Sequence, residues 1–201
     1  LQLAVQGRLT NEHDGDEPVG QLIERAAAEA DARRSGKASR ISASLLDAVV
    51  PFSLPSRWAW VPLGAMVLGM RYGTSSKSED DGSVPVLRMG NIQSGEIDWT
   101  SLKYSTDKAE ISKYSLPVPA VLFNRTNSKE LVGKTAIYRG ERAAIFAGYL
   151  VHVQPSSGLD PEYLNIVLNS PMARAWCAAV RVDGINQSNI SASKLARFPL
   201  P

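Results

Sequence analysis

The stretch best suited to binding a charged ligand lies within VLFNRTNSKELVGKTAIY, residues 121–138. Its centre holds six consecutive polar residues, Asn124 to Lys129, where a tight hairpin needs only about two to five. Arg125 and Lys129 can neutralise phosphates, and asparagine and serine side chains can hold phosphate oxygens or base edges. These residue types indicate a binding loop. The alternative is a polar connection whose Asn and Ser side chains cap their own backbone.

Three other segments combine cations, hydroxyls and amides in the same way. RYGTSSK spans residues 71–77, VLRMGNIQSG spans 86–95 and NQSNIS spans 186–191. Arginine and lysine neutralise phosphates and reach guanine, while asparagine and glutamine can pair with both edge atoms of adenine. Each segment alone is an ordinary polar loop, so a nucleic-acid site requires that they meet in the fold.

No combination of residues suited to catalysis stands out. The chain lacks a Gly-x-x-x-x-Gly-Lys-Ser/Thr phosphate loop, a Gly-x-Gly-x-x-Gly fingerprint and a Gly-x-Ser-x-Gly elbow, which disfavours nucleotide hydrolysis and hydride transfer. The acidic run at residues 79–81 precedes Gly82 and is interpreted as a solvated turn rather than a metal site. His152 is expected at a strand end and Cys177 in the core.

Composition places the chain in the soluble globular class. Of its 201 residues 44% are apolar and 21% are charged, and no apolar run reaches the roughly 20 residues that span a bilayer. A single cysteine excludes an internal disulfide, and with two histidines a zinc cluster is disfavoured. The start LQLAVQGRLT lacks a basic leader and an initiating Met, so we expect a cytoplasmic protein whose numbering begins inside a longer gene product.

Charge is distributed unevenly along the chain. Residues 1–54 carry 6 Lys or Arg against 8 Asp or Glu, residues 55–150 carry 12 against 9, and residues 151–201 carry 4 against 3. The nets are −2, +3 and +1. A mildly basic body permits binding to a polyanion, and a solvated surface of scattered charge is the alternative.

The N-terminal part has the periodicity of amphipathic helices. Apolar residues in LQLAVQGRL share one helical face, Gly7 ends that helix, and a second begins near Asp16 with Pro18 in its first turn. The apolar stripe of the second helix is made mainly of small side chains, so we expect it to pack against another helix or the body. Its members are Val19, Leu22, Ile23, Ala26, Ala27 and Ala30. RRSGKASRISAS is typical of a linker, and PFSLPSRW precedes the globular part.

From Trp58 onward, strands come first and helices follow. Strands are expected around residues 58–62, 84–89, 119–124, 132–138 and 144–153. Asp160 with Pro161, and Ser170 with Pro171, each predict a helix start as N-cap and first helical residue. The order predicts an α+β fold, a mixed and strand-rich domain followed by short helices and preceded by the N-terminal helical segment.

Six segments occur in a fixed order along the body: PFSLPSRWAWVPLG, YGTSSK, VPVLRMGNIQSGEIDW, VLFNRTNSKELVGKTAIY, AGYLVHVQP and QSNISASKLARFPLP. Taken in that order, they resemble the target recognition domains in the specificity subunit of Type I restriction-modification systems. LQLAVQGRLT with DEPVGQLIERAAAEA is similar to the central helical region of that subunit. The resemblance implies three parts: the end of the central region at 1–40, a linker at 41–57 and a second recognition domain at 58–201.

In that family, two recognition domains alternate with two long helices that pack as a coiled coil, and each domain recognises one half of a split DNA target. The implied partners are double-stranded DNA, modification subunits docked on the helices and, indirectly, the restriction subunit. No cofactor is implied on this chain, because methyl transfer belongs to a partner subunit, and the missing Asn-Pro-Pro-Tyr/Phe signature agrees. The chain stops at FPLP, where the distal helix of the family begins, so an incomplete coiled coil is expected.

The resemblance also implies roles for the polar residues. Expected phosphate contacts are Tyr72, Thr74, Ser75, Lys77, Arg125, Asn127, Ser128, Lys129, Lys134, Ser188 and Asn189. Expected base-edge contacts are Arg71, Arg88, Asn91 and Gln187. A helix of the same subunit, or a modification subunit, is expected to cover Leu22, Ile23 and Ala26.

Two other functions fit the sequence. The chain can be the recognition part of a single-chain restriction and modification enzyme whose catalytic domains lie upstream of Leu1. It can also be a helical adaptor that binds only protein, for which the polar loops are incidental.

Overall fold

The computed structural model describes residues 1–9, 13, 15–33 and 51–201, so the predicted linker lies outside the described residues up to residue 50. The helices are α1 (Gln2–Val5), α2 (Val19–Arg33), α3 (Lys108–Tyr114), α4 (Pro161–Leu168), α5 (Pro171–Val180) and α6 (Ala192–Leu195). The strands are β1 (Val61–Pro62), β2 (Val67–Tyr72), β3 (Val84–Leu87), β4 (Ile92–Gln93), β5 (Gly95–Ile97), β6 (Lys103–Ser105), β7 (Ala120–Asn124), β8 (Thr126–Asn127), β9 (Thr135–Tyr138), β10 (Ile145–Phe146), β11 (Leu150–Pro155), β12 (Val182–Asp183), β13 (Ser188–Asn189) and β14 (Pro199–Leu200). The α+β prediction is confirmed. Within the described ranges, no helix is both long and apolar enough to cross a membrane.

A six-stranded sheet, in the order β2-β11-β7-β9-β5-β4, forms the centre of the body. Its neighbouring strands are antiparallel except for the parallel pair β5 and β9. β7 is buried along its whole length, and its side chains alternate between two apolar clusters. Val121 and Phe123 belong to one cluster, and Ala120 and Leu122 belong to the other. The sheet is therefore covered on both faces.

Helices α4 and α5 contribute to the cluster that contains Phe123, and both begin where the sequence predicts. The Asp160 carboxylate accepts a hydrogen bond from the Tyr163 N–H at 2.9 Å. The Ser170 hydroxyl oxygen accepts one from the Ala173 N–H at 3.2 Å. Each cap satisfies a donor that the first helical turn leaves unpaired, and a proline follows each cap.

The two ends of the body lie side by side. β1 pairs antiparallel with β14, with Val61 opposite Leu200. Two backbone hydrogen bonds extend the contact, from the Leu63 N–H to the Phe198 carbonyl at 2.9 Å and from the Gly64 N–H to the Ala196 carbonyl at 2.8 Å. The last residues of the chain thus complete a sheet that its first body strand starts.

Most predicted strands are present with shifted ends, and two differences matter for the site. The strand expected at 144–153 is divided into β10 and β11 by a turn at residues 147–149. β2, which the sequence analysis did not predict, lies at the edge of the central sheet and contains Arg71 and Tyr72. Its outer residues are largely exposed, so no buried alternation marks it as a strand.

Helix α2 packs on the body through small side chains. Ala26 is completely buried, and a Cβ added to Gly158 would lie 3.6 Å from the Ala26 Cβ. The Glu29 carboxylate accepts a hydrogen bond from the Ser157 N–H at 2.7 Å. Ala27, which the sequence analysis placed in the apolar stripe, is exposed. The body itself thus covers Ala26, as one of the two alternatives from the sequence predicted, whereas Leu22 and Ile23 are half-buried.

Enlarging Ala26 should loosen this packing. We expect Ala26→Leu to lower the free energy of unfolding by roughly 1–3 kcal/mol, because the extra carbons have no space against the body. Ala27→Leu, on the exposed side of the same helix, is the matched control and should change it by less than about 0.5 kcal/mol. Urea unfolding followed by circular dichroism measures both, and equal effects would show that the body does not cover Ala26.

Buried His152 should make stability depend on pH. Burial, followed by the charge of Arg71, lowers the pKa of His152 to about 4. In the unfolded chain the imidazole of His152 takes up a proton near pH 6.5. The stability contributed by neutral His152 is therefore lost as pH falls from about 6.5 towards 4. When the pH is lowered from about 7 to about 4, we expect the free energy of unfolding, measured with urea, to fall by roughly 3 kcal/mol more for the wild type than for His152→Leu. Parallel losses in the two proteins would contradict this.

Candidate nucleic-acid interface

All four polar segments contribute to one open groove of about 740 Å³. The polar residues that line it are Thr74, Ser75, Ser76, Lys77, Ser78, Arg88, Lys103, Arg125, Thr126, Tyr149, Gln187 and Asn189. They come from parts of the chain more than a hundred residues apart. The sequence analysis required that the segments meet, and in the fold they do.

The turn at residues 147–149 joins these segments through backbone hydrogen bonds. It bonds to the first segment at Thr74, to the second at Leu87 and to the third at Arg125, with N···O distances of 2.7, 2.9 and 2.9 Å. The Arg125 carbonyl in turn accepts a hydrogen bond from the Ile190 N–H at 2.9 Å, which attaches the fourth segment. Backbone bonds therefore fix the relative positions of all four.

The third and fourth segments also pair as strands. β8 and β13 are antiparallel, with Asn127 opposite Ser188 and Thr126 opposite Asn189. The Thr126 hydroxyl donates to the Asn189 side-chain oxygen at 2.6 Å. The stretch that resembles a loop in the sequence is thus partly a strand, and its partner is supplied by residues near the end of the chain.

The groove is lined by cations. Lys77, Arg88, Lys103 and Arg125 lie in it, and none of the described residues that line it is acidic. Asp80 accepts a hydrogen bond from Lys103. That bond chiefly lowers the pKa of Asp80, and attraction to Lys103, Arg88 and Lys77 adds to it. Lys103 is thus paired with Asp80, and Lys77, Arg88 and Arg125 are the lining cations for which the described part of the chain supplies no salt bridge.

Two arginines that line the groove are partly bonded within the protein: the Arg88 Nη2 donates to the Ser101 carbonyl at 3.1 Å and the Arg125 Nη1 to the Gly148 carbonyl at 3.4 Å. The Nε atoms of Arg88 and Arg125 are buried and have no hydrogen-bond partner among the described residues. The Arg125 guanidinium lies 4.9 Å from the centroid of the Tyr72 ring, a cation–π contact that orients it. The Tyr72 hydroxyl accepts a hydrogen bond from the Ala192 N–H at 3.0 Å, so the ring itself is held in place.

Two of the four base-edge candidates lie in the groove, Arg88 and Gln187. Arg71 is directed elsewhere and donates to the carbonyls of Lys113 and Ser115 at 3.0 and 3.3 Å. Asn91 is only 3% exposed. Its amide accepts from the Arg88 N–H and donates to the carbonyls of Asp98 and Thr100, at 2.9, 2.9 and 3.0 Å. Both side chains thus hold loops together.

Several phosphate candidates are also bonded within the protein. Thr74 and Ser188 are 5% and 0% exposed. The Thr74 hydroxyl bonds to Glu110, and the Ser188 hydroxyl donates to Asp183 at 2.6 Å. The hydrogen bond from the Ser128 hydroxyl is the main reason that the pKa of Glu130 is lowered. These hydroxyls stabilise the turns around the groove.

The remaining candidates lie at the periphery of the groove or away from it. Lys129 forms an exposed salt bridge with Asp183 at 3.2 Å. Lys134 donates to the Gln93 side-chain oxygen at 2.8 Å and does not line the groove. The Asn127 side-chain oxygen accepts from the Ser128 N–H at 2.8 Å. Of the phosphate candidates, those that line the groove are Thr74, Ser75, Lys77, Arg125 and Asn189.

Three polar residues that line the groove, Ser78, Lys103 and Tyr149, lie outside the four segments and were not predicted from the sequence. Lys103 comes from β6, where nothing nearby in the sequence marks a binding loop. Tyr149 is 44% exposed on the turn that joins the segments. The feature of the sequence that could have indicated this turn was a glycine followed by a tyrosine inside a predicted strand. Within the described residues, no group of three or more His, Cys, Asp or Glu side chains is placed to hold a metal ion.

No protein-family model matches the chain. Individual relatives do. A sequence assigned as the Type I restriction enzyme MjaX specificity subunit of Methanocaldococcus jannaschii is 29% identical over 74% of this chain and 36% of its own length. The Type I restriction enzyme EcoEI specificity subunit of Escherichia coli is 25% identical over 100% of this chain and 36% of its own length. The chain spans about a third of the length of these curated relatives.

Two solved structures share the fold. A chain from a study of assembly and conformational transition in a Type I restriction-modification system matches 92% of this chain and 42% of its own, with a TM-score of 0.54 and 16% identity. The crystal structure of the HsdS subunit from Thermoanaerobacter tengcongensis matches 90% of this chain and 39% of its own, with a TM-score of 0.52 and 15% identity.

The fold is therefore the α+β fold found in HsdS subunits. Similarity in sequence is more informative than the shared fold, because it relates this chain to the specificity subunits of Type I restriction-modification systems. The resemblance seen in its sequence motifs is confirmed.

Gly73 is required where the first segment passes the turn that joins the groove. A Cβ at this position would lie 2.1 Å from the Phe146 carbonyl oxygen, and that backbone atom cannot move without breaking the bonds around it. We expect Gly73→Ala to lower the free energy of unfolding by roughly 1–3 kcal/mol. Gly69→Ala, on β2 four residues earlier and with nothing within 4 Å of the added Cβ, is the control and should be close to neutral. Thermal unfolding of both variants measures this, and a neutral Gly73→Ala would contradict it.

Proposed function

We propose that this chain is a non-catalytic, cytoplasmic part of a Type I specificity subunit that binds one half of a bipartite duplex DNA target. Residues 58–201 form the recognition domain, and residues 1–40 are the end of the central helical region, where modification subunits dock. The restriction subunit is a partner only through the assembled complex. Catalysis and its cofactor belong to those other subunits.

The observation that carries DNA binding is the cationic groove. Three of the polar segments and β6, which are separated in sequence, bring Lys77, Arg88, Arg125 and Lys103 together in a groove whose described lining contains no carboxylate. Duplex DNA carries one negative charge per roughly 1.7 Å of its axis, so a row of cations beside exposed amides fits its backbone. A groove this open suits an extended ligand better than an enclosed small molecule.

Other features favour a specificity subunit over the two alternatives. The relatives over most of the chain are themselves named as specificity subunits, rather than as single-chain enzymes. A protein-only adaptor would have to offer the apolar face of α2 to its partner, but the body covers Ala26 on that face. The cationic groove would also have no use in such an adaptor.

We propose that some residues of the groove contact phosphates and that others contact base edges. Lys77 and Arg125, with the nearby hydroxyl of Ser75, contact phosphates, because they offer charge or hydroxyls at the open side of the groove. Arg88 and Gln187 are placed to reach base edges, and both have side-chain types that pair with two base atoms. Arg71 and Asn91 support loops around them.

Salt dependence tests the proposal. We expect weak binding to duplex DNA that falls steeply with salt, with a log–log slope of roughly −0.9 per phosphate contacted, because counterions are released. Lys77→Ala and Arg125→Ala should each weaken binding to any duplex sequence and make the slope shallower by about one unit. Fluorescence anisotropy with labelled duplexes at several salt concentrations measures both quantities.

Lys134→Ala is the matched control, because this lysine bonds to Gln93 outside the groove. It should leave the slope nearly unchanged. A slope reduced equally by all three substitutions would mean that charge acts at long range and that the groove is not the binding site. Tight binding that is insensitive to salt would reject the cationic groove as the main contact, and no binding at low salt would reject DNA binding itself.

A further inference from the structure

The hairpin formed by β12 and β13 ends in an exposed apolar tip. The Gly184 N–H donates to the Gln187 carbonyl at 2.9 Å, which leaves only Ile185 and Asn186 beyond the last bonded pair. Ile185 is 102% exposed, the highest value among the exposed large apolar side chains of the described residues. Single exposed apolar residues are common, so this exposure has meaning only through what surrounds it.

The hairpin is held rigidly although its tip is exposed. Asp183 accepts hydrogen bonds from the Ser188 hydroxyl at 2.6 Å and from the Arg181 Nε at 3.0 Å, and Lys129 lies 3.2 Å away. The hydrogen bond from Ser188, followed by those from Lys129 and Arg181, lowers the pKa of Asp183 to about 2. The carboxylate therefore stays ionised and continues to bind these three partners. Pairing of β13 with β8 fixes the hairpin to the groove.

The chemistry of the tip complements one kind of base pair. Asn186 and Gln187 carry amides beside Ile185, and Gln187 also lines the cationic groove. In the major groove, adenine offers an acceptor and a donor that such an amide can pair with, and its partner thymine offers a methyl group that an apolar side chain can contact. The major groove, about 12 Å wide, admits a two-stranded ribbon such as this hairpin.

We propose that the β12–β13 hairpin enters the major groove and that Ile185 contacts the methyl group of a thymine, which makes this hairpin a reader of an A·T pair. The inference rests on the proposed DNA binding. It assigns recognition of the DNA sequence to Ile185, which lies outside the cationic groove. Ile185 then sets the preference for thymine at one position, whereas Lys77 and Arg125 set affinity and salt dependence.

Substitution of the methyl group itself tests this contact. Duplexes selected by the chain from a random pool identify its preferred sequence, and each thymine in that sequence is then replaced singly by uracil, which lacks only the methyl group. At one position we expect uracil to weaken wild-type binding about fourfold, the effect of burying one carbon group. Ile185→Ala should bind the thymine and uracil duplexes equally, with an unchanged salt slope, and Ile185→Val should restore part of the difference.

Ile166→Ala is the matched control, because Ile166 is an exposed isoleucine on α4 that does not line the groove. It should keep the wild-type ratio of thymine to uracil affinity. The inference is overturned if Ile185→Ala also keeps that ratio, if no thymine position distinguishes the two bases, or if Ile185→Ala weakens only association with a protein partner. Failure of the wild type to bind any duplex at low salt would reject the proposed DNA binding as well, so the two failures are distinguishable.

Discussion

The site depends on the backbone of one short turn, residues 147–149. Its amide and carbonyl groups, with the Phe146 carbonyl beside them, bond to Thr74, Leu87 and Arg125, each of which belongs to a different polar segment. Backbone hydrogen bonds have fixed geometry, so they determine where the side chains of those segments lie. Gly73 lies against the same turn, where no Cβ fits, and this makes the local chain path specific to glycine. Without this turn the four segments would be unrelated surface loops.

Internal bonding separates the polar residues into two groups. Buried polar groups must find partners, and in this domain Asn91 and Ser188 find them in neighbouring loops. These residues shape the groove and do not present their polar atoms to it. The other group lines the groove, and its cations include Lys77, Arg88 and Arg125. An arginine with remaining donors in a site without acidic residues is suited to phosphate or guanine.

The β12–β13 hairpin extends the same logic to an apolar residue. A charged side chain, Asp183, stabilises the hairpin by bonding to Arg181 and Ser188, and the tip is left to Ile185. A rigid tip loses little conformational entropy when it binds, so even one methyl contact can contribute to preference. The cations of the groove and the apolar tip of the hairpin are thus different residues. The pairing of β8 with β13 holds these two parts together.

Local sequence signals predicted the parts of the fold that local interactions control. The caps at Asp160 and Ser170 act over three residues, so their helices could be located from sequence. β7 was recognisable because burial on both faces requires a continuous apolar run. β2 was missed because an edge strand has no such requirement, and β8 was missed because its partner is about sixty residues away.

The sequence by itself determined the residue types available to the groove, through its concentration of cations, amides and hydroxyls in four segments, and these types are the basis for the ligand that we propose. Only the tertiary structure decided which of them face a ligand. Arg71 and Arg88 are alike in sequence, yet Arg71 is bonded to the carbonyls of Lys113 and Ser115 away from the groove, whereas Arg88 donates to the Ser101 carbonyl and lines the groove. The reason is physical: a polar side chain binds the first suitable partner within reach, and which partners are within reach is set by contacts between residues distant in the chain.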